Sequence, residues 1–141
     1  MTDGGLSNQL AGGTASQTPT VLIVDDSPAT ARGLSGLFRG AGYRPIAFYE
    51  GLAAIEFARE NRPVGAVIDI HLPDISGLIL SRTLREILGP SAPIIVLSGD
   101  TSMEVLNSLP HVGATYFFNK PVAGTLLLDH FRNLLGTAQG V

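Results

Sequence analysis

Five short apolar runs recur along this chain, VLIV at 21–24, IAFY at 46–49, AVIDI at 66–70, IIVL at 94–97 and TYFF at 115–118, and a helix-like stretch follows each one. Nothing else in the sequence restricts the fold as strongly. Runs this short and this apolar read as strands buried on both faces, and strands that alternate with helices are joined by crossovers, which makes the sheet parallel. Between them the apolar residues fall at three and four spacing: Leu34, Leu37, Phe38 and Ala41, then Ala54, Ile55 and Ala58, then Leu80, Leu84, Ile87 and Leu88. Each stretch therefore has one face for the sheet. A last helix is expected over 122–135, with Leu127, Phe131, Leu134 and Leu135 on one side and a stop near Gly136. The fold expected is α/β, a doubly wound parallel sheet of five strands with five helices.

The folded unit is expected to span 20–136. Residues 1–19 are rich in Gly, Ser, Thr and Gln with two isolated leucines, too little apolar surface to offset the entropy of ordering, and they read as a flexible tail or linker. Residues 137–141 read as a short C-terminal tail. A length of 141 residues with 45% hydrophobic content suits one core. A charged fraction of 15% and a net charge of -3 lack the basic excess that phosphate-backbone binding needs, so direct contact with nucleic acid is not expected. The absence of cysteine excludes disulfides and thiolate-bound zinc, and His71, His111 and His130 are too scattered to form a metal cage. With no leader pattern and no apolar run of membrane-spanning length, a cytoplasmic protein without membrane contact is expected.

In doubly wound sheets ligands bind beyond the carboxyl ends of the strands. Those ends carry Asp25 and Asp26 after the first strand, Asp69 at the third, Ser98 after the fourth and Lys120 after the fifth. Crowded carboxylates repel and need a cation; oxygen-only donors with room for water suit Mg²⁺ rather than zinc. A nucleophilic acid, a metal, an ammonium and a hydroxyl are also the groups that phosphoryl transfer requires. Taken singly, all but Asp69 have an ordinary structural explanation. Asp25 and Asp26 could cap the helix that opens at Ser27-Pro28, Ser98 could be a turn residue and Lys120 a surface lysine. Asp69 resists such treatment, because an acid terminating an apolar run is costly unless paired or liganded. His71 reads as an exposed loop residue, and the run LPDISG at 72–77 as a turn leading into the third helix. Leu126, Leu127 and Leu128 are more leucine than one helix face can bury, which leaves surface for a partner.

The segments VLIVDDS, VIDIHLPDISG, IIVLSGD and YFFNKP resemble, in order and separation, the four signature segments of bacterial response-regulator receiver domains. The resemblance covers roughly residues 20 to 136 and implies the flavodoxin-like receiver architecture. It further implies that Asp69 accepts a phosphoryl group and that Asp25, Asp26, Asp69 and the backbone carbonyl of His71 hold Mg²⁺, Asp25 mainly through water. Lys120 and Ser98 would contact the phosphoryl group, and the Lys120-Pro121 bond would be cis. Ser98 and Phe117 take the switch positions; Phe117 has no hydroxyl, so any aromatic switching there rests on packing and shape. His71, Gly99 and Asp100 flank the acceptor and are expected to influence phosphorylation and hydrolysis rates. The implied partners are a histidine kinase or histidine phosphotransferase and a downstream protein, with residues 101–135 as the signalling face and the place for a phosphorylation-dependent homodimer. Only about twenty residues follow the Lys-Pro pair, enough for the final helix. Both a stand-alone regulator and the receiver of a hybrid kinase fit.

Two other functions compete. A phosphatase of the haloacid-dehalogenase group also forms an aspartyl-phosphate, but it carries Asp-x-Asp after the first strand, where this chain has Asp25-Asp26-Ser27. A receiver fold that signals without phosphate is disfavoured because all five key positions are filled. The chain is accordingly expected to be a phosphorylation switch rather than an enzyme acting on a separate substrate.

Overall fold

A computed structural model describes residues 18–99 and 116–140, with side chains placed as far as residue 135. The described elements alternate as expected: β1 (Thr20–Val24), α1 (Pro28–Gly40), β2 (Arg44–Phe48), α2 (Gly51–Asn61), β3 (Gly65–Asp69), α3 (Gly77–Leu88), β4 (Ile94–Ser98), β5 (Tyr116–Asn119) and α4 (Gly124–Gly140). The five strands form one sheet in the order β2-β1-β3-β4-β5, and every pairing is parallel. Four helices are seen among the described residues. The fifth, expected after β4, falls at residues outside them.

Alternation along each strand sorts the core into two layers, since successive side chains point to opposite faces. Val21, Ile23, Val67, Ile95 and Leu97 meet Ala31 and Phe38 of α1 and Leu127 and Phe131 of α4. On the other face Leu22, Val24, Ala66, Ile68 and Ile94 meet Ala54 and Ala58 of α2 and Leu80 and Leu84 of α3. Phe38, Tyr43 and Phe131 pack edge to face, with centroids 5.1 to 5.6 Å apart. Both faces of β1, β3 and β4 are therefore covered, which is why their sequences show apolar runs and no polar alternation.

The local signals act much as expected. Ser27 caps α1 by accepting from the Thr30 amide at 3.3 Å, with Pro28 in the first turn, where its missing N–H has no partner to lose. Several boundaries differ from the sequence reading. β2 starts at Arg44, ahead of Ile46, because the ladder continues through the Arg44 amide to the Pro19 carbonyl whatever the side chain. β3 begins at Gly65 and ends at Asp69, one residue short of Ile70. The last helix starts at Gly124 instead of Val122 and runs through Gly136 to Gly140, so most of the expected C-terminal tail is helical; a glycine costs a helix about 1 kcal/mol without forbidding it. Of the three consecutive leucines, Leu127 and Leu128 are buried and Leu126 is exposed.

Candidate functional site

The order β2-β1-β3-β4-β5 reverses its winding between β1 and β3, so a crevice lies beyond the carboxyl ends of these two strands. Asp25 directly follows β1 and Asp69 ends β3; both are buried, at 1% and 7% exposure, while Asp26 beside them faces solvent. A carboxylate oxygen from each of the three lies within 4.8 Å of the others. Asp25 Oδ1 accepts from the Ser27 amide at 2.9 Å, which fixes the turn into α1. The helix cap itself is Ser27, so capping does not account for either aspartate.

Lys120 enters the crevice from the far edge of the sheet. Its amide donates to the Ser98 carbonyl at 2.8 Å, and its Nζ lies 3.1 Å from Asp25 Oδ2 and 3.5 Å from Asp69 Oδ2. The peptide bond that follows, Lys120-Pro121, is cis. Ser98 is fully buried at the end of β4, and Phe117 is partly buried opposite Val96. Gly99 is exposed, with no neighbour among the described residues within 4 Å of where a Cβ would stand, and His71 is exposed on the loop after β3, its amide donating to Asp69 Oδ1 at 3.3 Å. Of the expected site residues, Asp25, Asp26, Asp69, His71, Ser98 and Lys120 thus gather at one end of the sheet. Asp100 lies outside the described residues, as does His111.

Burial raises the pKa of Asp69 above the usual aspartate value, and the neighbouring Asp25 charge raises it further; Lys120 and the His71 amide only partly offset this. For Lys120, burial acts to lower the pKa, but the hydrogen bond and charge of Asp25, followed by Asp69, outweigh it and hold the ammonium firmly protonated. Among the described residues, three carboxylates served by one ammonium leave the crevice short of positive charge. An all-oxygen donor set of this kind suits a hard divalent cation, and Mg²⁺ fits it.

Lys120 is a stabilising group by the same balance. A lysine whose folded pKa is raised contributes stability that is complete below its unfolded value and is lost only as pH rises through the folded one. Lys120→Met is therefore expected to cost roughly 1–2 kcal/mol at pH 7 without divalent ions, because two buried carboxylates lose their cation. The deficit should shrink as Asp69 protonates on acidification. Thermal melts at pH 7 and pH 4 check this, and an equal deficit at both would contradict it.

An open parallel sheet with helices on both faces and an acidic, lysine-braced crevice at its winding reversal defines a doubly wound α/β domain with a candidate cation site. Residues 21–132 match the response regulator receiver domain, and the chain belongs to that family. It is thus a receiver domain of the two-component signalling systems, whose members act as signalling switches. It is similar to the probable transcriptional regulatory protein TcrX of Mycobacterium tuberculosis, 33% identical over 119 residues that make up 84% of this chain and 50% of TcrX. The chain thus spans about half the length of that relative. Among solved structures it is similar to a CheY-like receiver domain protein of Methanospirillum hungatei (26% identity, TM-score 0.79, covering 87% of this chain and 98% of the other). A second is the signal receiver domain of a signal transduction histidine kinase of Syntrophus aciditrophicus (27% identity, TM-score 0.79, covering 88% and 95%). Among the described residues no helix is long and apolar enough to cross a membrane.

Sequence reasoning missed Asp74. It stands in the run read as a simple turn, yet its carboxylate caps α2, a helix more than twenty residues away in sequence. The one available signal was indirect: Glu50, the residue before α2, is not of a type that caps helices well, and it makes no side-chain cap here.

Proposed function

We propose that this chain is a phosphoacceptor switch that takes a phosphoryl group onto Asp69 from a histidine kinase or histidine phosphotransferase and signals through protein contacts. The observation that carries this reading is the buried Asp69 carboxylate at the winding reversal, within 3.5 Å of the Lys120 ammonium and beside two further aspartates. Asp25, Asp26, Asp69 and the His71 carbonyl would hold Mg²⁺. When bound, it supplies positive charge that neutralises both the acid cluster and the incoming phosphoryl oxygens.

An oxygen of Asp69 attacks phosphorus in line; the new O–P bond forms as the P–N bond to the donor imidazole breaks, and the imidazole leaves with a proton from solvent. Lys120, held between Asp25 and Asp69, donates to a phosphoryl oxygen, and Ser98 offers its hydroxyl at the end of the neighbouring strand. Burial of Asp69 limits the access of water to the product. Gly99, with no side chain, leaves the approach open to a donor, and His71 and Asp100 flank the acceptor and tune the rates. Lys120 and Ser98 contact the phosphoryl group only in the phosphorylated form, and this difference biases residues 101–135, with Phe117 responding by packing, toward a partner or a second copy. The domain acts in the cytoplasm, either alone or as part of a hybrid kinase.

The test is intact mass after incubation with acetyl phosphate or phosphoramidate, with and without Mg²⁺. A Mg²⁺-dependent gain of one phosphoryl group is expected. No gain from these donors or from a phosphorylated histidine phosphotransferase would overturn the reading.

A further inference from the structure

The loop after Asp69 is pinned at three places, and two of them hold its feet. At the first, the Ile70 amide donates to the Leu97 carbonyl at 2.9 Å, and the His71 amide reaches Asp69 Oδ1. At the second, the Gly77 amide donates to the Ile70 carbonyl at 2.8 Å, and the Ser76 side chain accepts from Leu78 at 3.0 Å to start α3. The third pin is Asp74, at the crest of the loop. Its Oδ1 accepts from the Gly51 amide at 2.8 Å and from the Ile75 amide at 2.9 Å, while Oδ2 accepts from the Leu52 amide at 2.8 Å.

These bonds tie the crest to the N-terminus of α2, whose own N-cap residue, Glu50, makes no side-chain cap. Ile75 seals the joint: a Cβ on Gly51 would come within 2.6 Å of Ile75 Cγ1. The anchor is firm, since Ala54 and Ala58 of α2 are fully buried in the layer that also holds Leu80 and Leu84 of α3. The amides of Leu52, Gly51 and Ile75 hold the Asp74 carboxyl below the usual aspartate range, the Leu52 bond contributing most, so the clamp stays charged at neutral pH. Asp74 is exposed and lies outside the acid cluster of Asp25, Asp26 and Asp69.

We infer that Asp74 is a positioning residue for the cation site: by clamping the loop crest to α2 it sets the His71 peptide, whose N–H faces Asp69 and whose carbonyl would face the ion. This rests on the proposed function and adds a residue to it. Groups that orient metal ligands from behind typically change affinity 10- to 100-fold when removed. Asp74→Ala should therefore weaken Mg²⁺ binding roughly 10-fold, at the low end because the loop feet remain pinned. The rate of phosphorylation at saturating Mg²⁺ should change much less, so the defect appears as a Mg²⁺ requirement and not as a lost maximal rate. Asp74→Asn keeps one acceptor oxygen and should fall between.

The experiment is calorimetric titration of Mg²⁺ into the unchanged chain, both Asp74 variants and Arg85→Met, with backbone amide NMR spectra of each before the metal is added. Arg85 binds the Gly89 and Ala92 carbonyls at the far end of α3, so its loss controls for stability alone. Support requires a shifted His71 amide in metal-free Asp74→Ala together with weakened Mg²⁺ binding, neither seen in Arg85→Met. An unmoved His71 amide, or unchanged Mg²⁺ affinity, overturns the inference whatever the melting temperature. An unchanged chain that binds no Mg²⁺ would instead sink the proposed function, and this inference with it.

Discussion

Asp69→Asn is expected to take up no phosphoryl group from any donor and, in the same variant, to melt above the unchanged protein when divalent ions are absent. The two outcomes have one origin. The amide lacks the nucleophilic oxygen, so intact mass should show no adduct under conditions that label the unchanged chain fully. It also lacks the charge that the crevice accommodates poorly: burial first, and the Asp25 charge second, raise the Asp69 pKa. An aspartate with a raised folded pKa contributes stability that is present below its unfolded value, about 3.9, and lost as pH rises through the folded one. At pH 7 it is a net burden, and removing it should gain about 1 kcal/mol, or roughly 3–5 °C. The gain should fade toward pH 4 and should shrink when Mg²⁺ is added. A variant that melts below the unchanged protein at pH 7 in chelator would refute the electrostatic account of the crevice.

Gly77→Ala is expected to be the most damaging glycine-to-alanine substitution among the described residues. A Cβ at this position would overlap the Asp69 carbonyl oxygen and sit 2.6 Å from the Ile70 Cα. Both obstacles are backbone atoms, so no side chain can rotate away, and either β3 or the first turn of α3 must move. Overpacking of this kind costs up to about 3 kcal/mol, which for a domain of this size lowers the melting temperature by roughly 10 °C. The displacement falls on the peptide that carries the acceptor, where a misplacement near 1 Å can slow a reaction by about 10²-fold. Melting curves and the labelling rate with a small-molecule donor test both parts. A variant within a degree of the unchanged protein would show that the loop has more room than its contacts indicate.

Most of the fold was legible because it is written in one-dimensional patterns. The apolar runs mark β1, β3 and β4, and their odd and even members divide between the α1–α4 and α2–α3 layers as period-two geometry requires. The acid cluster was legible for a related reason: Asp25 and Asp69 break apolar runs at a place where burial would otherwise be unfavourable, and strand ends in such a sheet converge. Contacts between loops leave no such trace. Nothing local to Asp74 distinguishes a carboxylate that caps a distant helix from one that merely decorates a turn, and only the poor start of α2 hinted at the need. The boundaries of β2 and α4 slipped because ladders and helices continue through residues whose side chains have no preference for them.

The crevice is assembled from parts of unequal firmness. Asp69 stands on β3, a strand with neighbours on both sides and helices above and below; Lys120 follows β5, paired along one side only and the least buried of the described strands. The acid is the fixed jaw of a vice and the ammonium the movable one. A charge placed on the fixed jaw would therefore act first on the ammonium 3.5 Å away, on the segment that follows the edge strand, and only through it on the central strands.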